Sequence, residues 1–334
     1  MHPYNDNDPP HDFFLAKFSG RTGTGAVMTA AEQTSTSANV TQIARVYEGH
    51  PITIRFLEAL GWGGELLNLG WFRANGILNV LNLIPDPKRL AAAQRRLVSK
   101  SVGLLAPAAG EKILDVACGR GFASHYIATT FPGTVVTGMD LLPANISSCI
   151  QRFPPREGLG FVAGDACRMP FGPGEFNRIL CLEAAFHFPD RAQFLSEARR
   201  VLQRGGTMLL VDFMWKEREH GAVSGHPLTK VVKNTWAWDD FSSVSSYLEM
   251  IANSGFEPVA RHDWTRQVTA SLQWQFNVVA RLAQSKGGRR LLVQTNPALE
   301  IFKPSEWQEL QTAARAHDFV NSHSRYMAMV VRKK

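Results

Sequence analysis

The chain has 334 residues, 45% hydrophobic and 19% charged, which is the balance of an ordinary globular protein with material for a sizeable core. Its net charge of +7 is spread along the sequence, and the one basic run is Arg332-Lys333-Lys334, so a nucleic-acid partner has no support. Cys118, Cys149, Cys167 and Cys181 lack the paired spacing of a zinc site, no apolar stretch approaches membrane-spanning length, and the N-terminus carries no signal-peptide pattern. A soluble, cytoplasmic protein without metal is the expectation, with its oligomeric state left open.

Residues 1–38 are rich in Asn, Asp, Pro, Ser, Thr and Gly and predict a loose arm, apart from the apolar patch Phe13 to Phe18. From 39 to 104 the apolar spacing is helical, as in "ITIRFLEAL" and "RLAAAQRRLVSKSVGLL", with Pro85 and Pro87 as breaks. The texture changes at Lys112. Short apolar runs, "KILDVA", "TVVTGMD", "GFVAGD", "FNRILCL" and "GTMLLVDF", then alternate with amphipathic helices. Such runs predict parallel strands covered on both faces. The helix from Asp190 to Gln203 is expected to close at Gly205-Gly206. A helix near 239–254 and a strand near 256–262 follow. The segment 265–323 reads as mostly helical, and "RYMAMVVRK" as a final strand at 324–334. The core is expected to span 105–264.

In an open α/β sheet, ligands bind beyond the carboxyl ends of the strands. The first strand runs into Asp115-Val-Ala-Cys-Gly119-Arg-Gly121, and glycine there lets the backbone turn tightly and lets a ligand approach. The second strand ends at Asp140, placed to accept from ribose hydroxyls. The third leads to Asp165, placed to accept from an adenine amino group. Together they describe an adenosine pocket. A dinucleotide fingerprint would have a third glycine where this chain has Ser124, and no Walker-type Gly-Lys-Ser/Thr is present. Asp115 beside the turn would repel a pyrophosphate and suits a ligand ammonium group. Adenosine at one end and an amino acid at the other describe S-adenosylmethionine (SAM).

The four segments, in this order and spacing, resemble class I SAM-dependent methyltransferases of the small-molecule branch. "ILDVACGRG" is similar to that family's first motif, "GMDLL" to its ribose motif and "GDACRMPF" to its adenine motif. "EAAFHFPDRAQFLSEARRVLQRGG" is similar to its fourth strand, helix and turn, and "LLNLGWF" (Leu66 to Phe72) to its lid segment. The resemblance implies an α/β, doubly wound, Rossmann-like sheet of seven strands with N-terminal helices and a helical cap insertion. It also implies SAM as cofactor, held by Asp115, Ala117, Gly119, Gly121, Asp140, Leu141, Asp165 and Ala166.

His187 lies in the loop after the fourth strand, beside the expected methyl group, and Asp212 ends the neighbouring fifth strand. A carboxylate holding an imidazole in one tautomer makes a general base. Related sugar O-methyltransferases use a His and an Asp at matching positions, although their pattern often has a second His where this chain has Phe186. Glu183 is expected to line the methyl site, as similar acids do in related cyclopropanating enzymes. Cys118 reads as packing. His220 and His226 read as surface residues, and Trp215, Trp236, Trp238, Trp264 and Trp274 as the core of the cap. The expected activity is O-methylation of a hydrophobic or aromatic small molecule, a specialised metabolite, with His187 as base. C-methylation of an isoprenoid or lipid, and a methyltransferase fold acting only as a binding protein, are the alternatives.

Overall fold

The computed structural model describes residues 52–59, 66–72, 87–217, 220–238 and 241–334. The expected arm and the Phe13 to Phe18 patch lie outside them. Two described helices precede the sheet, α1 (Ile52–Ala59) and α2 (Pro87–Leu105). Pro87 interrupts nothing: it is the first residue of α2, where a missing N–H has no intrahelical acceptor to lose.

The alternating region forms β1 (Lys112–Val116), α3 (Phe122–Thr130), β2 (Val135–Asp140), α4 (Pro143–Arg152) and β3 (Leu159–Ala163). It continues through β4 (Phe176–Leu182), α5 (Arg191–Val201) and β5 (Leu202–Trp215). Next come α6 (His220–Ser224), α7 (Pro227–Trp236), α8 (Val244–Asn253) and β6 (Phe256–Asp263). Between β6 and the last strand run α9 (Ser271–Leu282), α10 (Lys286–Thr295) and α11 (Pro304–His323), and β7 (Ser324–Lys333) completes the sheet. No described helix is long and apolar enough to cross a membrane.

The seven strands are ordered β3-β2-β1-β4-β5-β7-β6, with β7 antiparallel to both neighbours and every other pair parallel. The winding reverses between β1 and β4. Their tips therefore diverge into the crevice where such sheets bind ligands.

The strands read as unbroken apolar runs because both faces are buried. Leu114, Val116, Ile179, Cys181, Met208 and Leu210 pack one way, with Phe194 and Ala198 of α5. Their alternates Ile113, Leu180, Leu209 and Val211 pack the other way, with Leu97 and Val102 of α2. The period of two along each strand puts successive side chains on opposite faces.

One boundary departs from the sequence reading. Helix α5 stops at Val201 and the chain is already strand at Leu202, so Gly205-Gly206 is not its cap. Phe176 pairs with Leu202 but Arg178 with Thr207, a bulge that holds the extra residues. Gly205 takes φ +74°, and a Cβ on Gly206 would lie 2.9 Å from the Asn177 and Gln203 carbonyls. The glycines serve the bulge.

The cap has its own core. Phe56 of α1 packs among Val279, Leu292, Trp307 and Leu310 of α9, α10 and α11, and Arg55 pairs with Glu306 at 2.7 Å. The tryptophans divide. Trp215 and Trp238 are buried beneath the cap, Trp264 packs with the sheet layer, Trp236 is half-buried and Trp274 is exposed. His226 caps α7 by accepting from the Leu228 amide and stacks on Phe319, while the side chain of His220 lies outside the described residues.

Candidate active site at the strand tips

The turn after β1 alternates left-handed residues: Ala117 (φ 56°), Gly119 (φ 55°) and Gly121 (φ 78°). Three of its amides bond within the protein. Cys118 N–H donates to the Met139 carbonyl (2.9 Å), Gly119 N–H to Asp140 Oδ2 (2.9 Å) and Gly121 N–H to the Cys118 carbonyl (3.0 Å). A phosphate-binding turn instead aims its N–H groups at the ligand. The two glycines also differ. A Cβ on Gly121 would meet Cys149 Sγ and Phe161 at 2.9 Å, whereas one on Gly119 would meet, among the described residues, only Leu67, at 3.2 Å. Gly121 is needed for packing, and Gly119 faces Leu67.

The acids follow from the strand ends. Asp140, at the last residue of β2, is 7% exposed, and burial raises its pKa. Its Oδ1 accepts from Leu142 N–H and Asn145 Nδ2, both at 3.0 Å, beside the Gly119 bond to Oδ2. Asp115 lies deeper, 2% exposed, accepting from Ser124 Oγ at 2.6 Å. Burial lifts its pKa to about 7, with nearby Asp140 adding to the rise. Ser124, read from sequence as a missing glycine, is therefore the partner of this acid. Asp165 accepts the Cys167 amide at 2.8 Å with Oδ1, and among the described residues its Oδ2 takes no hydrogen bond. Leu141 is half-buried just past β2, and Ala166 packs its methyl into the cluster holding Met139 and Met169. The Cys118 thiol has its pKa raised by a hydrogen bond with Cys149 and by burial, which suits packing.

Glu183 sits just past β4 with φ 53°, one of two strained non-glycine positions at adjoining strand tips, the other being Ala117. Its carboxylate accepts from the Leu69 amide (3.0 Å to Oε2) and from the Tyr326 hydroxyl of β7. Burial raises its pKa to about 8. Leu69 belongs to the segment 66–72, which Gln94 of α2 also holds, donating to the Leu66 and Asn68 carbonyls at 3.2 and 2.7 Å. Leu67 and Leu69 line an apolar cavity with Glu183, Phe186, Phe213 and Trp238. Leu67 thus touches the glycine turn on one side and this cavity on the other.

The expected His187–Asp212 dyad is not formed. Asp212 accepts from the Phe213 amide (2.8 Å), the Phe186 amide and the Tyr247 hydroxyl (3.4 Å), with Arg191 nearby. Burial raises its pKa to about 6. The His187 ring instead turns its Nδ1 to the Ala237 carbonyl at 3.5 Å, and burial drops its pKa to about 4. The physical reason is local. His187 ends a 3₁₀ turn, Ala185–His187, that carries Phe186 into the aromatic cluster of Phe213 and Phe241 and aims the next side chain elsewhere. Sequence reading missed Tyr326, Leu69 and Ser124 as partners of the acids. Only the polar Tyr at the start of an apolar strand signalled one of them.

Residues 114–210 match a family model described as a methyltransferase domain. The 2-methyl-6-phytyl-1,4-hydroquinone methyltransferase of Synechocystis sp. is 30% identical over 162 residues, 47% of this chain and 50% of that protein. The fatty-acid O-methyltransferase of Mycolicibacterium smegmatis is 39% identical over 103 residues, 31% of this chain and 37% of that protein. The chain thus spans half or less of the length of these two relatives. The solved structure of the cyclopropane synthase MmaA2 from Mycobacterium tuberculosis superposes with a TM-score of 0.65 at 15% identity, covering 88% of this chain and 98% of that one. Strand order, glycine turn and family match agree: residues 114–210 match the methyltransferase domain model, within a sheet that has the class I SAM-dependent methyltransferase fold.

Proposed function

We propose that this chain binds SAM at the tips of β1, β2 and β3 and transfers its methyl group to a hydrophobic small molecule held in the apolar cavity. The observation that carries the proposal is Leu67, which joins the glycine turn to that cavity. When bound, the cofactor supplies an electrophilic methyl on a sulfonium centre. The residues present fit it. Asp140 has about four lone-pair sites and three are filled, leaving room for a ribose hydroxyl beside Gly119. The open Oδ2 of Asp165 suits an adenine amino group. Asp115 and Asp140 make the pocket anionic, which favours a cation, and the inward-turned amides offer a pyrophosphate little.

The acceptor would lie against Phe186, Phe213, Trp238 and Phe241, out of water, so holding nucleophile and methyl in line supplies most of the rate. Relatives named for a phytyl hydroquinone and a fatty acid support an acceptor with a long apolar part. For a hydroxyl acceptor we assign the proton to Glu183, because its carboxylate lines the cavity. His187, one residue beyond Phe186 of the wall, is the alternative base. A second reading, C-methylation, is favoured by the aromatic faces around Glu183, which would steady a cation. Incubation with methyl-labelled SAM and alkylated phenols, fatty acids and isoprenoids, followed by product analysis, tests both. Label on oxygen supports the first reading and label on carbon the second. Cofactor binding without label in any product points to a binding protein.

A further inference from the structure

Four polar side chains in the cap form a relay that the reading above leaves without a role. Asn277 Nδ2 donates to Asp318 Oδ1 at 3.0 Å, Gln273 Nε2 to Asn277 Oδ1 at 2.9 Å, and Asn321 Nδ2 to Gln273 Oε1 at 2.7 Å. Gln273, buried on α9, and Asn321, on α11, line the cavity, whereas Asp318 is exposed on α11. A carboxamide can be turned end for end, but an ionised carboxylate can only accept. Asp318 orients Asn277, the Asn277 and Ala314 oxygens orient Gln273, and Gln273 orients Asn321. The second N–H of Gln273 reaches the Ala314 carbonyl at 3.3 Å. The relay ends on Asn321 Oδ1, which takes no hydrogen bond among the described residues. The neighbouring His317 differs in being satisfied: its Nε2 accepts from Trp236 Nε1 at 2.8 Å, and Nδ1 lies 2.8 Å from the Ala313 carbonyl.

We infer that Asn321 Oδ1, oriented by Gln273, selects acceptors that carry a hydroxyl on an otherwise apolar body. This rests on the proposed use of the cavity for the methyl acceptor and names the class of acceptor. An apolar or methylated group set against Oδ1 leaves a desolvated acceptor without a donor, and a site built for a hydroxyl discriminates against its loss. A discrimination of about tenfold or more follows.

The test is binding of heptylhydroquinone and of its dimethyl ether, read by quenching of the fluorescence of Trp236 and Trp238 in the cavity wall. The wild-type protein binds the hydroquinone at least about tenfold more tightly. Asn321→Leu brings the two within about twofold. Gln273→Leu, which removes the acceptor that holds the Asn321 amide and lets it turn end for end, also erodes the preference. Wild-type protein that binds the two compounds equally, or binds neither, contradicts the inference. So does a Gln273→Leu protein with native near-ultraviolet circular dichroism and undiminished preference. Absence of methyl transfer with the preference intact would overturn the proposed function and leave this inference standing.

Discussion

The Leu69 amide donates to the Glu183 carboxylate at 3.0 Å, tying the segment 66–72 to the tip of β4. One acid thus shapes the cavity and fixes the segment that covers the glycine turn. Glu183→Gln keeps an acceptor for Leu69 and Tyr326 but removes the base. Turnover of a hydroxyl acceptor should fall by about 10²–10⁴-fold with SAM affinity nearly unchanged. Glu183→Ala should also lower thermal stability, because two buried donors lose their partner at about 1–3 kcal/mol each. Steady-state kinetics beside thermal melts separate the roles. Full activity in the Gln variant would leave Glu183 a structural tie.

Asp212 and His187 do not touch, so their effects should add. In a double-mutant cycle with Asp212→Asn and His187→Ala, the coupling in turnover should stay within about 0.5 kcal/mol. Asp212→Asn should act through the Phe186 amide and Tyr247, disturbing the loop. A coupling of several times that size would mean that the two side chains meet during turnover.

Burial makes the ligand-free protein sensitive to alkali. Glu183 is raised from 4.5 to about 8 and Asp115 from 3.8 to about 7, so the folded state holds protons that the unfolded chain has released. Stability therefore falls as pH rises through these windows. Asp212 has finished by about pH 6, and depressed His187 costs stability only below its ordinary 6.5. From pH 7 to 8 the slope belongs to Glu183, with the tail of Asp115, and approaches about 1.4 kcal/mol per pH unit per proton. Denaturant titrations across this range should show the decline, and Glu183→Gln should flatten it. A wild-type protein equally stable at pH 7 and 8 would show that Glu183 is ionised in the fold.

The two glycines of the turn should fail differently. Gly121→Ala forces a methyl against Cys149 and Phe161 at φ 78° and should destabilise the fold by about 1–3 kcal/mol. Gly119→Ala is strained at φ 55° but meets only Leu67 among the described residues, so it should cost less stability than Gly121→Ala while weakening cofactor binding. Melting curves with calorimetry on each variant check this. Equal loss of stability in both would make Gly119 a folding residue as well.

What could be read in the sequence was local. A buried strand ending in an acid and followed by glycines announces its own turn, so the positions of Asp115, Asp140 and Asp165 at the strand tips were legible. The bulge at Gly205-Gly206 was not, because helix cap and strand bulge ask for the same glycines and only the pairing with β4 decides between them. Glu183 and His187 were harder still. Their partners Leu69, Tyr326 and Ala237 lie 114, 143 and 50 residues away, and no periodicity encodes which of two adjacent loop side chains faces the crevice.

Isothermal titration of the ligand-free protein with SAM and with NADH, at pH 7 in two buffers of different ionisation enthalpy, decides which cofactor the turn holds. The anionic turn should bind SAM and ignore NADH. The heat should depend on the buffer, because a cation arriving beside half-protonated Asp115 drives its proton off. Asp140→Ala should weaken SAM by about 1–3 kcal/mol. Binding of NADH without SAM would show that the turn serves a pyrophosphate and that the methyl-transfer account is wrong.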